Sequence, residues 1–85
     1  MAKVRMYSTA VCPFCIRAEM LLNSKGITEF EKIRVDLDPR RREEMTQKTG
    51  RRTVPQIYIG GRHVGGFEEL AELEHAGELE LLLAA

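Results

Sequence analysis

Cys12-Pro13-Phe14-Cys15 contains the two cysteines of the chain. They sit one helical turn apart, and a thiol pair at that spacing is equipped for thiol–disulfide exchange. Pro13 suits the first position of a helix, where the N–H it lacks would have no intrahelical partner. Cys12 then falls at the N-cap, where the free N–H groups of the first turn and the positive end of the helix dipole favour an anionic sulfur. That thiolate is the expected nucleophile. Cys15 lines up with Ala18 and Leu22 on the apolar face of the same helix. It is therefore expected to be the less exposed thiol, protonated at rest and placed to resolve a mixed disulfide.

Such a pair needs elements to hold it. Lys3–Tyr7, apolar at Val4 and Met6, reads as a strand running into a Ser8–Val11 loop and the cysteines. The helix that starts at Pro13 should reach about Lys25, with Gly26 as its left-handed stop. Phe30–Leu37 sets Ile33, Val35 and Leu37 at period two, which predicts a second strand and a right-handed parallel βαβ unit. Asp38 can cap a second helix with Pro39 at its first position and Gly50 at its end. That helix is polar, with Met45 its main apolar anchor. Val54–Ile59 reads as a third strand, and Gly60-Gly61 makes a two-residue hairpin loop to a fourth at Arg62–Val64. Pro55 inside a strand pattern removes a ladder hydrogen bond, so a cis Val54-Pro55 bond at a strand entrance beside the dithiol is predicted. Gly65-Gly66 then breaks the chain before a helix with Leu70 and Leu73 on one face, and Gly77 separates a final leucine-rich turn. The order is βαβ followed by ββα, an α/β chain organised as one domain over residues 1–85.

Composition narrows the partners. The chain has 85 residues, 44% of them hydrophobic, with 13 basic and 13 acidic side chains. That balance argues against nucleic acid as a partner. The first dozen residues alternate charged and apolar groups, so no secretory signal is expected there. The apolar stretch Leu79–Ala85 is too short to span a bilayer, and no membrane association is expected. A cytoplasmic location follows as the expectation, and in a reducing compartment a close cysteine pair is more readily catalytic than structural.

Three segments taken together, Cys12-Pro13-Phe14-Cys15, Thr53-Val54-Pro55-Gln56-Ile57-Tyr58-Ile59 and Gly65-Gly66-Phe67-Glu68-Glu69, resemble the dithiol glutaredoxins, in order and over essentially the whole chain. The resemblance implies a thioredoxin-like fold, a four-stranded mixed sheet flanked by helices, with the proline loop facing the cysteines. It also implies glutathione as reductant and co-substrate, no tightly bound cofactor, disulfide-containing or glutathionylated proteins as partners, and a monomer. Catalysis would rest on Cys12 and Cys15. The glutathione backbone would pair with Val54, flanked by Thr53 and Pro55, as an extended peptide pairs with a sheet edge. The γ-glutamyl end would meet Gly66, Phe67 and Glu68, where helix N–H groups suit a carboxylate and Glu68 can pair an ammonium. Three positions depart from the family pattern: Glu68 stands where Asp is more usual, Phe14 replaces the usual tyrosine, and Thr9 replaces a lysine that meets the glycyl carboxylate. Arg51 and Arg52 are the nearest substitutes for that lysine, and Arg52 is assigned to the glutathione site.

The same residues admit plainer readings. Two cysteines with His63 and His75 make no zinc-ligand spacing, so no metal site is expected. His75 suits a helix C-terminus, and His63 is expected to be a solvated hairpin residue. Arg40-Arg41-Arg42 runs directly into Glu43-Glu44 and reads as a solvated helix face. Glu68 and Glu69 stabilise a helix N-terminus with or without a ligand. Two alternatives to a glutathione-dependent enzyme stay open: a redoxin reduced by a thioredoxin reductase, and a carrier of a glutathione-ligated iron–sulfur cluster. Pro13 counts against the second, because cluster carriers of the family typically have glycine after the first cysteine.

Overall fold

The computed structural model describes residues 2–85, and the elements follow the predicted order. β1 (Val4–Ser8) leads through the cysteine loop into α1 (Pro13–Ser24), followed by β2 (Glu31–Arg34), α2 (Pro39–Thr49), β3 (Gln56–Ile59), β4 (Arg62–Gly65), α3 (Phe67–His75) and α4 (Leu79–Ala84). The four strands form one sheet in the order β2-β1-β3-β4. β1 runs parallel to β2 and antiparallel to β3, and β4 closes the antiparallel hairpin.

Register divides the apolar residues between the two faces. Val4 and Met6 of β1 lie opposite Ile59 and Ile57 of β3. These four face Ala18 and Leu22 of α1, Leu70 of α3, and Leu79 and Leu83 of α4 in the larger core. Tyr7, paired with Ile33, points to the other face. There it packs with Val35 and with Met45 of α2, beside half-buried Val54 and Tyr58. Met45 is fully covered and is the only buried residue of the polar helix α2, so roughly 1.5–3 kcal/mol of apolar burial pins that helix to the sheet.

The helix boundaries have the caps their residues suggest. Cys12 and Asp38 are N-caps followed by Pro13 and Pro39. Gly26 and Gly50 take left-handed conformations where α1 and α2 end. The second strand is shorter than its period-two pattern: β2 stops at Arg34, and Val35–Leu37 form a turn. Val35 still donates to the Ser8 carbonyl at 3.0 Å and is buried, but Leu37 is left exposed. The cause is the chain's need to turn into the Asp38 cap, with Asp36 drawn out to Arg34. No helix among the described residues is long and apolar enough to cross a membrane.

Candidate active site

β1 and α1 deliver the thiols. Cys12 holds extended backbone angles at the helix cap, and its Sγ accepts a hydrogen bond from the Cys15 N–H at 3.1 Å. As a thiol, Cys12 also points its S–H at the Val54 carbonyl, with sulfur and oxygen 3.7 Å apart. The N–H donor at the end of the helix is thus aimed where charge forms when the sulfur ionises. Cys12 is 8% and Cys15 5% exposed, so the expected order holds by a small margin, and the larger asymmetry is chemical. Burial, reinforced by the neighbouring Cys12 sulfur and opposed by a backbone hydrogen bond from Thr9, pushes the Cys15 thiol up to about 12. Cys15 is therefore a thiol at rest.

Beside Cys12 lies an open groove of about 340 Å³ between the motif, the proline loop and the start of α3. Phe14, Thr53, Val54, Pro55, Gly66, Phe67 and Glu68 all line it. The Val54-Pro55 peptide bond is cis. The Phe14 and Phe67 rings stand 6.3 Å apart, with the Arg17 guanidinium 5.4 Å from the centre of the Phe14 ring. A larger hollow of about 630 Å³ lies at the other end of β1, around Lys3, Gly26 and Phe30. It is lined by no thiol, whereas the smaller groove is bounded by Val54, whose carbonyl meets Cys12.

Two more residues line the groove: Arg51, one of the two candidate substitutes for the missing lysine, and Glu69, which the sequence pointed to only as a helix N-terminal acid. Arg51 lines the groove where Arg52 does not; the Arg52 backbone carbonyl instead accepts from Arg42 Nη1 at 3.2 Å. Glu69 is the second. Its Oε1 accepts from the Gly66 N–H at 2.7 Å and from Arg51 Nη1 at 2.8 Å, and these partners, Arg51 first, hold its carboxyl below the usual range. This is half of a capping box. Gly66 has no side chain to return the bond, so among the described residues no side chain caps the first turn of α3, which begins at the groove-lining Gly66 and Phe67. The Gly66-x-x-Glu69 spacing was the available signal for Glu69. Glu68 is exposed and makes no hydrogen bond or ion pair among the described residues.

Two further clusters brace the site. The Asp36 carboxylate takes two hydrogen bonds from Arg34, at 2.7 Å each, and one from the Ala10 N–H at 3.3 Å, which ties the cysteine loop to the end of β2. The Arg34 guanidinium, with help from the Ala10 N–H, depresses the Asp36 carboxyl far below the carboxylate range. On the other side, His63 is not the solvated residue its hairpin position suggested. It is partly buried, its ring lies 5.1 Å from that of Tyr58, and its Nε2 is 2.8 Å from Gln56 Oε1. A cross-strand position opposite Tyr58 explains this, since the ring lies over the sheet and not at the turn. His75 ends α3 and is exposed.

A thiol at a helix cap, a buried second thiol one turn on, and a groove walled by a cis-proline loop together make a dithiol site open on one side to a small thiol or peptide. Comparison with known proteins points the same way. The family model described as Glutaredoxin matches residues 4–64. A glutaredoxin of Pseudomonas aeruginosa is 51% identical over 85 residues, covering 100% of both chains. Glutaredoxin 3 of Escherichia coli is 45% identical over 83 residues, covering 98% of this chain and 99% of its own. Among solved structures, a buckwheat glutaredoxin–glutathione complex superposes with a TM-score of 0.89 at 29% identity, over 98% of this chain and 77% of the buckwheat chain. With the dithiol on its helix cap and the match running the length of the chain, this protein belongs to the glutaredoxin family and is a thiol–disulfide oxidoreductase with a thioredoxin-like fold.

Proposed function

We propose that the enzyme is glutathione-dependent, reducing glutathione mixed disulfides and protein disulfides through Cys12 and Cys15. The observation that carries this reading is the groove beside Cys12, which offers a different partner to each part of a γ-glutamyl tripeptide. The backbone edge at Val54 suits the cysteinyl residue. The uncapped first turn of α3 suits the γ-glutamyl carboxylate, and Glu68, which has no protein partner among the described residues, suits the ammonium. Arg51 takes the glycyl carboxylate in place of the cation that Thr9 lacks, while Phe14, Thr53, Pro55 and Phe67 wall the groove.

In the monothiol cycle the Cys12 thiolate attacks the glutathionyl sulfur of a mixed disulfide. The substrate thiolate leaves, and a Cys12–glutathione disulfide remains. A second glutathione, as its thiolate, attacks the bound glutathionyl sulfur, releasing glutathione disulfide and regenerating Cys12. For a protein disulfide, Cys12 attacks one substrate sulfur and Cys15 then displaces it, leaving a Cys12–Cys15 disulfide that two glutathiones reduce. Forming the mixed disulfide removes the Cys12 contributions that raise the Cys15 thiol. Cys15 therefore becomes easier to ionise at the step that needs it.

The enzyme acts in this reading as a single-domain monomer in the reducing cytoplasm, where a close pair of free thiols persists. The test is turnover of a small glutathione mixed disulfide, with glutathione and glutathione reductase reporting through loss of reduced nicotinamide. Cys12→Ser should abolish it, and Cys15→Ser should retain it while losing most reduction of protein disulfides. No turnover by folded, reduced wild type, or equal losses in both assays for Cys15→Ser, would overturn the assignment.

A further inference from the structure

Gln56 is fully buried at the start of β3, so its partners decide how its amide is oriented. One end lies 3.0 Å from the Thr53 carbonyl oxygen and 3.3 Å from Thr53 Oγ1. A carbonyl oxygen only accepts, so the amide NH₂ must face Thr53 and Oε1 must face away. Oε1 meets His63 Nε2 at 2.8 Å, and because it too only accepts, Nε2 must carry the hydrogen. Hydrogen-bond chemistry thus sets both the amide orientation and the imidazole tautomer. The other groups acting on His63 are Tyr58, whose ring stacks with it, Arg51 from the loop before β3 and Glu69 from α3. Burial and the Arg51 guanidinium hold the imidazole below its ordinary range, with Glu69 pulling the other way, which suits a neutral Nε2–H ring.

The peptide after Thr53 carries this chain of bonds into the site. The cis bond is Val54-Pro55, so the Thr53–Val54 peptide is trans, and in a planar trans peptide the carbonyl and the following N–H point in opposite directions. Holding Thr53 O against buried Gln56 therefore turns the Val54 N–H away from the protein interior. Val54 lines the groove beside Cys12, and that N–H is the donor an extended tripeptide would meet first.

We propose that His63 is a positioning residue for the groove: acting through Gln56, it fixes the Thr53–Val54 peptide plane and so aims the Val54 N–H at the substrate backbone. His63 itself does not line the groove, and it reaches the groove through Gln56 and the Thr53–Val54 peptide, so its influence through the Val54 N–H falls first on binding. The inference rests on glutathione being the peptide bound.

Two variants separate positioning from packing. His63→Phe keeps a ring against Tyr58 and removes the donor. His63→Gln brings an amide N–H to where Nε2 stood. The expected KM for a glutathione–peptide mixed disulfide rises about 3- to 10-fold in His63→Phe, the effect of about one hydrogen bond, with kcat held within about twofold. His63→Gln brings KM back toward wild type. In the free proteins, backbone amide NMR order parameters at Thr53 and Val54 fall in His63→Phe and hold in His63→Gln. An unchanged KM in His63→Phe, equal changes in both variants, or order parameters that stay put in His63→Phe would overturn the relay. If wild type fails to turn over the mixed disulfide, the glutathione reading is what fails, and the order parameters still decide whether His63 holds the loop.

Discussion

Gly65 ends β4 at φ +118°, and a Cβ there would lie 2.5 Å from Glu69 Oε1, 3.0 Å from its Cγ and 3.1 Å from its Cδ. Gly65→Ala therefore acts in two ways. An alanine held in that backbone region is strained by about 1–3 kcal/mol. The methyl also pushes the Glu69 carboxylate off the Gly66 N–H and Arg51. The lost cap is worth about 0.5–2 kcal/mol, and the half-exposed ion pair adds at most about 1 kcal/mol. The expected destabilisation is about 2–5 kcal/mol, against about 1–2 kcal/mol for Glu69→Ala, which loses the same bonds without the strain. Because both substitutions remove one set of bonds, the double variant should be no less stable than Gly65→Ala alone, a departure from additivity of about 1–2 kcal/mol. Urea unfolding of the four proteins measures this directly. The Glu69 carboxyl is depressed in the folded state, so its contribution is full above the unfolded carboxyl value and is lost as pH falls through the folded one. The gap between wild type and Glu69→Ala should close in acid. Strict additivity, or a Gly65→Ala loss below about 1 kcal/mol, would refute the reasoning.

Two further predictions concern groups held away from their ordinary protonation. Tyr7 is fully buried and donates its hydroxyl to Glu44, and burial foremost raises its phenol to about 12; Tyr7→Phe should destabilise by about 1–2 kcal/mol. Since a raised phenol stabilises the fold below its unfolded value and stops doing so as pH climbs through about 12, that gap should shrink in strong alkali, and a constant gap in denaturant midpoints from neutral pH upward would count against the bond. In Cys12→Ser, thiolate absorbance near the far-ultraviolet edge should appear only above the ordinary cysteine range, because burial, the largest cause of the Cys15 shift, survives the substitution; a thiolate formed at neutral pH would mean that Cys15 is wetter than its packing implies.

What could be read in advance was local. The two N-caps with their following prolines, the glycines ending α1 and α2, the Gly60-Gly61 hairpin and the apolar positions Val4 and Met6 of the first strand all follow from residues a few positions apart. The misreadings share one physical cause: each depends on a partner distant in sequence or on a competing local geometry. Leu37 continued a period-two pattern, but Asp36 is drawn to Arg34 and to the Ala10 N–H, so the chain turns before Leu37 reaches the sheet. Arg51 and Arg52 are neighbours of one type, and only the bond from Arg51 to Glu69 marks which of them turns into the groove. His63 looked like a polar hairpin residue because nothing in Arg62-His63-Val64 shows that Gln56 lies within reach across the strands. A buried amide with its nitrogen committed to Thr53 needs a donor for its oxygen, and the fold supplies one from the adjacent strand. The thiols are legible because their chemistry is carried by spacing along one helix. The groove is less so, since its recognition edge is aimed by a peptide plane whose anchor and whose anchor's anchor come from different strands, and that dependence puts His63 within reach of the substrate without touching it.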